Sequence, residues 1–183
     1  HFDAYAIRKH CNRLKPKFSY GPDGYPPFLL KRIGPAIAEV IAQLFQSFMS
    51  IGRVPEEWKQ AFIKPLYKKG PSSDPASYRP VSLTSVFSKL MEKIIVEQLL
   101  KYLLANNLIS KQQHGFLSRK STATNFLESL NDWTVNMKNK HSQSIAYIDF
   151  AKAFDSVSHP KLMTKLSGYG IEGVLLIKLD FGF

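Results

Sequence analysis

The segment from Ser85 to about Leu104 constrains this chain most, because Phe87, Leu90, Met91, Ile94, Ile95 and Leu99 recur there at helical spacing and Asn106-Asn107 supply a stop. It is the longest such pattern in the sequence. A helix with one apolar stripe has to bury that stripe against other elements. After Gly34 and Pro35, with the proline placed to start a helix, Ile37, Val40, Ile41, Leu44, Phe45 and Phe48 predict a second helix running to Gly52. Phe126, Leu127, Leu130, Trp133 and Met137 predict a third from about Thr122 to Met137, with these residues inward. A short helix is expected from near Ser158, with Pro160 in its first turn and Leu162, Met163 and Leu166 inward, ending at Gly168.

Strands are few. AFIKPLY, residues 61–67, reads as a strand that Pro65 restricts to an edge or an irregular form. SIAYIDF, residues 144–150, reads as a buried strand carrying one charge, Asp149. The expectation is an α+β chain in which helices dominate.

With 183 residues, 44% of them hydrophobic, the chain is long enough to bury a core of its own and sits near the size of one domain. Twenty-five Lys and Arg against fourteen Asp and Glu give a net charge of +11, a balance that attracts polyanions such as nucleic acid, although a basic protein without such a partner has the same composition. The excess is larger in residues 1–70, with twelve basic and five acidic side chains, than in the remainder, with thirteen and nine. Cys11 is the single cysteine, which excludes an intrachain disulfide and a cysteine-based zinc site. No apolar run approaches the roughly 20 residues that span a bilayer, and HFDAYAIRKHCNRLK carries too many charges for a signal peptide. A soluble, intracellular chain is expected. Its start at His1 and its end on VLLIKLDFGF look like cuts.

The chemistry concentrates in YIDFAKAFDSVSHPKL, residues 147–162. An unpaired carboxylate in an apolar strand costs several kcal/mol, so Asp149 has to be paired, solvated at a strand end, or bound to a metal. Nucleotidyl transfer needs a divalent cation held by carboxylates beside the reacting phosphate, and a strand end is rigid enough to position one.

This stretch resembles the first palm motif, motif A, of the reverse transcriptases of non-LTR (LINE-type, jockey-like) retrotransposons: an apolar strand, an Asp, then Lys-Ala-Phe-Asp, Val and His. The resemblance implies that Asp149 is a catalytic aspartate binding Mg²⁺, with the backbone carbonyl of Phe150 also facing the metal. It implies that Phe154, five residues on, blocks a ribose 2′-OH. An ordinary core Phe is the alternative for that position. Asp155 is expected to cap a turn rather than to bind metal.

Other segments extend the resemblance over most of the chain. DGYPPFLLK (23–31) is similar to an Asp-Gly-Ile-Pro entry, GRVPEEWKQAFIKPLYKKG (52–70) to the approach to the fingers, and SYRPVSLTSVFSKLMEKII (77–95) to a Tyr-Arg-Pro-Ile-Ser-Leu motif. In such enzymes a fingers hairpin presents a Lys and an Arg to the incoming triphosphate. Arg79 fits the latter and Lys68 the former, with Lys64 and Lys69 competing for it. A surface pair between Arg79 and Asp74 is the bland alternative. QQHGFLSRKSTATNFL (112–127) resembles a Gly-Phe-Arg-x-x-x-Ser-Thr motif bordering the template, which implicates Gly115, Phe116, Arg119 and Lys120, although Leu117 stands where the family has Arg. Ser121 or Thr122 can also cap the helix that follows.

The resemblance thus implies an unassigned segment at 1–22, a mostly helical reverse-transcriptase fingers region with a short irregular hairpin at 23–143, and the first palm strand from 144 to 183. The Gln-Gly and Tyr/Phe-Ala-Asp-Asp motifs that follow in the family do not occur here. A fragment of an RNA-directed DNA polymerase is expected, acting with an RNA template, a DNA primer, deoxynucleoside triphosphates and two Mg²⁺, in the nucleus. The rival expectation is a catalytically dead nucleic-acid-binding remnant of a degenerate element.

Overall fold

The structure, a computed structural model, describes residues 1–150, 153, 154 and 156–172. It divides into two regions, one made of residues 1–100 with the described residues from 159 on, the other of residues 101–158.

The first region is built on helix packing. Its elements are α1 (Ala4–Asn12), α2 (Pro27–Ile33), α3 (Ala38–Ile51), β1 (Phe62–Tyr67), β2 (Tyr78–Leu83), the greater part of α4 (Val86–Ala105), and α6 (His159–Gly168), which follows α5 in the chain. Asp3 starts α1 by accepting a hydrogen bond from the Ala6 N–H at 2.6 Å. Ile7 and Cys11, one helical turn apart, then face a core shared with Leu30 of α2, Ala38, Ile41, Ala42 and Phe45 of α3, and Val86, Leu90, Met91, Ile94 and Ile95 of α4. Burying each large apolar side chain of this set contributes about 1.5–3 kcal/mol. Phe45 sits among rings, edge to face with Phe2 at 5.4 Å and with Trp58 at 5.9 Å between centroids.

The α4 pattern is found as expected, and Asn107, with φ of 54°, ends the helix in the left-handed conformation that Asn tolerates. In α3 the outcome differs in two respects. The helix begins at Ala38 rather than at Pro35, and the bulky Val40 and Leu44 are exposed while the small Ala38 and Ala42 are buried. Close approach explains this, since α1 packs on α3 and alanines let two helices draw together. Gly34 marks the same crowding, because a Cβ there would meet the Leu30 carbonyl oxygen and lie 2.6 Å from Cys11 Sγ. Burial pushes the Cys11 thiol up to about 11, so it stays a neutral core side chain.

His10 is buried beside this core, with Nε2 2.7 Å from Glu97 Oε2, while Lys9 pairs with the other oxygen of Glu97. Nδ1 of His10 is buried and has no hydrogen-bond partner. Burial lowers the His10 pKa against the opposing hydrogen bond to Glu97, and the hydrogen bond from Lys9 lowers that of Glu97.

The hairpin is present as an antiparallel two-stranded ribbon with Phe62 opposite Leu83 and Tyr67 opposite Tyr78. Pro65 and Pro80 face each other. The Lys68 N–H donates to the Ser77 carbonyl at 2.8 Å, which sets the alternation of bonded pairs and puts the two prolines at a pair whose amides point away from the partner strand. Neither proline therefore removes a bond of the ladder.

The second region contains the end of α4, a loop, α5 (Thr122–Lys138) and the segment up to Ser158. Helix α5 forms where the sequence puts it, started by a capping box in which Ser121 and Thr124 each accept the other's backbone N–H. Its expected inner face is not covered: Phe126, Leu127, Leu130 and Met137 are exposed, and α5 has no buried residue. Residues 144–150, expected as a buried first palm strand, are neither paired nor buried. A strand needs a neighbour for its backbone groups, and among the described residues β1 and β2 pair only with each other. The α+β class holds in the coarser sense of helices with one antiparallel ribbon.

Candidate functional site

The ribbon places the first group of candidates. Side chains directly opposite one another share a face, so Lys64, Leu66 and Lys68 lie on the same side as Arg79, the partner of Leu66, and as Val81. Tyr67 and Tyr78 lie on the other side, and Lys69 falls in the bend beyond the end of β1. Lys68 and Lys64 are both diagonal neighbours of Arg79, at roughly 7–8 Å by sheet geometry. Three cations with a fixed spacing suit a ligand bearing several phosphate charges. Arg79 is exposed and makes no ion pair among the described residues. Asp74, its bland alternative partner, instead accepts the Ala76 N–H at 2.9 Å.

The ribbon is anchored at its base by a link absent from the sequence analysis. Ser85, fully buried, accepts the N–H groups of Phe87 and Ser88 at 3.1 and 3.2 Å, capping α4, and donates its own hydrogen to Asp23 at 2.5 Å. The motifs around Asp23 and Arg79, read as separate in sequence, thus meet at one side-chain pair. Gly21 permits the approach, because a Cβ there would lie 2.5 Å from the Thr84 carbonyl carbon. No local pattern signals a bond between residues 62 apart.

In the second region the loop ahead of α5 is held by His114. It is buried, with Nδ1 2.9 Å from Thr124 Oγ1 and Nε2 3.0 Å from Glu128 Oε2. The hydrogen bond from His114 holds the Glu128 carboxyl below the usual carboxylate range. His114 was not singled out in the sequence, although its place in QQHGF beside the matched Gly115 is the signal that marks it. Gly115 and Arg119 are exposed, whereas the Lys120 ammonium donates to the Lys111 carbonyl and so is engaged within the loop.

Asp149 is exposed and has no hydrogen bond or ion pair among the described residues. Phe150 is exposed as well, and Asp155 lies outside the described residues. Phe154 is not a core residue, with 79% of its surface exposed. Its ring meets that of Phe116 edge to face, with centroids 6.2 Å apart, which brings together a residue from the expected template loop and one from the expected motif A. Arg79 and Lys68 belong to the first region, and Asp149, Phe154 and the loop to the second.

Among the described residues no group of three His, Cys, Asp or Glu is clustered to hold a metal, and no helix is long and apolar enough to cross a membrane.

The sequence matches the family described as reverse transcriptase (RNA-dependent DNA polymerase) over residues 66–179. It is similar to the RNA-directed DNA polymerase from mobile element jockey of Drosophila melanogaster, 34% identical over 128 residues, covering 69% of this chain and 14% of that protein. The probable RNA-directed DNA polymerase from transposon BS of the same organism is 29% identical over 151 residues, covering 82% of this chain and 17% of that protein. The jockey polymerase of Drosophila funebris is 26% identical over 160 residues, with 87% and 18% covered. The chain therefore spans less than a fifth of the length of these relatives.

Proposed function

Because this chain belongs to the reverse transcriptase (RNA-dependent DNA polymerase) family, we propose that it supplies the nucleotide- and template-facing part of the RNA-directed DNA polymerase of a jockey-like non-LTR retrotransposon. The observation that carries this reading is the ribbon face, where Arg79 stands between Lys64 and Lys68 without a competing acid. In this reading residues 23–143 are the fingers and the palm begins at 144.

Each group then has a task. Arg79, in fork geometry, and Lys68 neutralise and orient the triphosphate of a deoxynucleotide, so that its α-phosphorus is presented in line to the primer 3′-OH and pyrophosphate departs from the opposite side. Phe154 excludes a ribose 2′-OH, which it can neither accommodate nor hydrogen-bond. Gly115 lets the loop backbone come close to the RNA template, Phe116 lies beside it, and Arg119 and Lys120 meet its phosphates, Lys120 after leaving the Lys111 carbonyl. Asp149 and the Phe150 carbonyl fit one part of a Mg²⁺ shell: the carboxylate is exposed and uncommitted, and Mg²⁺ characteristically takes one or two carboxylates together with substrate phosphates and waters. When bound, the ion supplies positive charge to the attacking and leaving oxygens. A nuclear location goes with this reading.

Primer extension on an RNA template by the full-length polymerase carrying these residues tests it. Arg79→Ala is expected to raise the KM for deoxynucleotides about tenfold or more while leaving template affinity near wild type. An unchanged KM together with weaker template binding would move Arg79 from the nucleotide to the nucleic acid.

A further inference from the structure

Phe116 has a backbone conformation its side chain disfavours. Its φ is 62°, in the left-handed region where a Cβ crowds the following carbonyl, and Arg119 in the same loop has φ of 64°. A bulky residue stays there only where its surroundings fix it, and such positions gather at functional sites. Here the loop is pinned on both sides of Phe116. Buried His114 is tied to Thr124 and Glu128, the Gln113 amide donates to the Gly115 carbonyl at 3.0 Å, and Lys120 donates to the Lys111 carbonyl.

This pinning does not bury the ring. Phe116 is 86% exposed, and its ring contact is with Phe154, itself exposed, the two planes crossing at 87°. A lone exposed Phe moves among its staggered rotamers, whereas an edge-to-face neighbour favours one of them. A ring that selects against a hydroxyl has to stay in one place to do so. Two rings at right angles also make an apolar notch, in which a hydroxyl finds no hydrogen-bond partner.

We propose that Phe116 is a second specificity-determining residue for the sugar of the incoming deoxynucleotide, its ring fixing that of Phe154 beside the 2′ position. This rests on the reading of Phe154 as the sugar gate, and it extends the site to a residue otherwise assigned to the template alone. His114 acts through it, as the positioning residue of the loop.

Fluorine NMR of the 183-residue chain labelled with fluorophenylalanine tests the contact. The signal lost in Phe154→Leu identifies that ring, and Phe116→Leu is expected to shift it. An unmoved signal means the rings do not meet and overturns the proposal. Calorimetric titration with dATP and with ATP, in Mg²⁺, then reads the sugar preference. Phe154→Ala is expected to abolish the preference, Phe116→Ala to lower it roughly three- to tenfold, and Phe116→Tyr to retain it. Both rings are exposed, so these variants keep the fold. If Phe154→Ala preserves the wild-type preference, or neither nucleotide binds, the gate reading fails and takes this inference with it. If Phe154→Ala abolishes the preference and Phe116→Ala leaves it intact, the inference alone fails, and weaker binding of single-stranded RNA by Phe116→Ala would return the ring to the template.

Discussion

Residues 1–100 and residues 101–158 are similar in their proportion of apolar residues and use them in opposite ways. In the first, four helices put Ile7, Leu30, Phe45, Leu90 and Ile94 out of reach of water. In the second, α5 and the segment from 144 on carry Phe126, Leu127, Tyr147, Ile148 and Phe154, all exposed, and among the described residues the buried side chain is a histidine, His114. The first region is stabilised by the hydrophobic effect, the second by capping and side-chain hydrogen bonds that fix a loop. Candidate chemistry follows the same division: in the first region it stands on a ribbon outside the core, and in the second it occupies the uncovered surface itself.

The largest effect that could break this comparison is truncation of the core. Phe45→Ala is expected to cost about 3–5 kcal/mol, against less than about 0.5 kcal/mol for Leu127→Ala, which is 60% exposed. Urea unfolding of the two variants decides it, and similar losses would mean that α5 is covered in solution. Next come the glycines. Gly34→Ala forces a Cβ against Leu30 and Cys11 and is expected to cost about 1–3 kcal/mol, whereas at Gly115 the nearest atom to an added Cβ is the flexible Gln113 amide at 3.4 Å, so Gly115→Ala should unfold with the wild type.

A smaller effect concerns pH. Burial lowers the His10 pKa in the folded chain below its ordinary 6.5, with Glu97 opposing the shift and Lys93 and Lys9 adding to it. The unfolded chain therefore takes up the proton first as pH falls. His10 contributes its full stability above about 6.5 and loses it progressively below, until the folded imidazole also titrates. Urea midpoints measured from neutral to mildly acidic pH should fall, and His10→Gln should flatten that fall; an equal slope in the variant would assign it to other groups. The smallest effect is Arg79→Ala, expected to change stability by less than about 0.5 kcal/mol, since an exposed cation without an ion pair holds nothing in the fold. A large loss of stability would show that Arg79 is structural and weaken its proposed role toward the triphosphate.

Helix α4 was legible in the sequence because its apolar stripe is long and its Asn stop is local. Helix α1 was not, since Arg8, Lys9 and Arg13 mask the two apolar positions, Ile7 and Cys11, that reach the core. The extent of α5 could be read from its periodicity, but its burial could not, because a stripe says that a face can be covered and not what covers it. The same limit applies to residues 144–150, where β propensity is present and no described strand lies alongside. Of the candidate site, the residue types of motif A and the ribbon were legible. The face shared by Lys64, Lys68 and Arg79 required the register, and the Asp23–Ser85 and Phe116–Phe154 pairs required the fold.

The facing prolines of the ribbon bear on how such a chain survives at high concentration. Both strands of a two-stranded sheet are edges, and an exposed edge invites another chain to add a strand and begin an aggregate. Pro65 and Pro80 remove the central outward N–H from each edge, and the Tyr78 N–H is already given to the Pro75 carbonyl. That leaves Ser82 as the outward donor within β2, and Ile63 and Tyr67, separated by the proline, within β1. An incoming strand would find no continuous row of donors on either side, so the ribbon can stay solvent-exposed without serving as a template for fibrils.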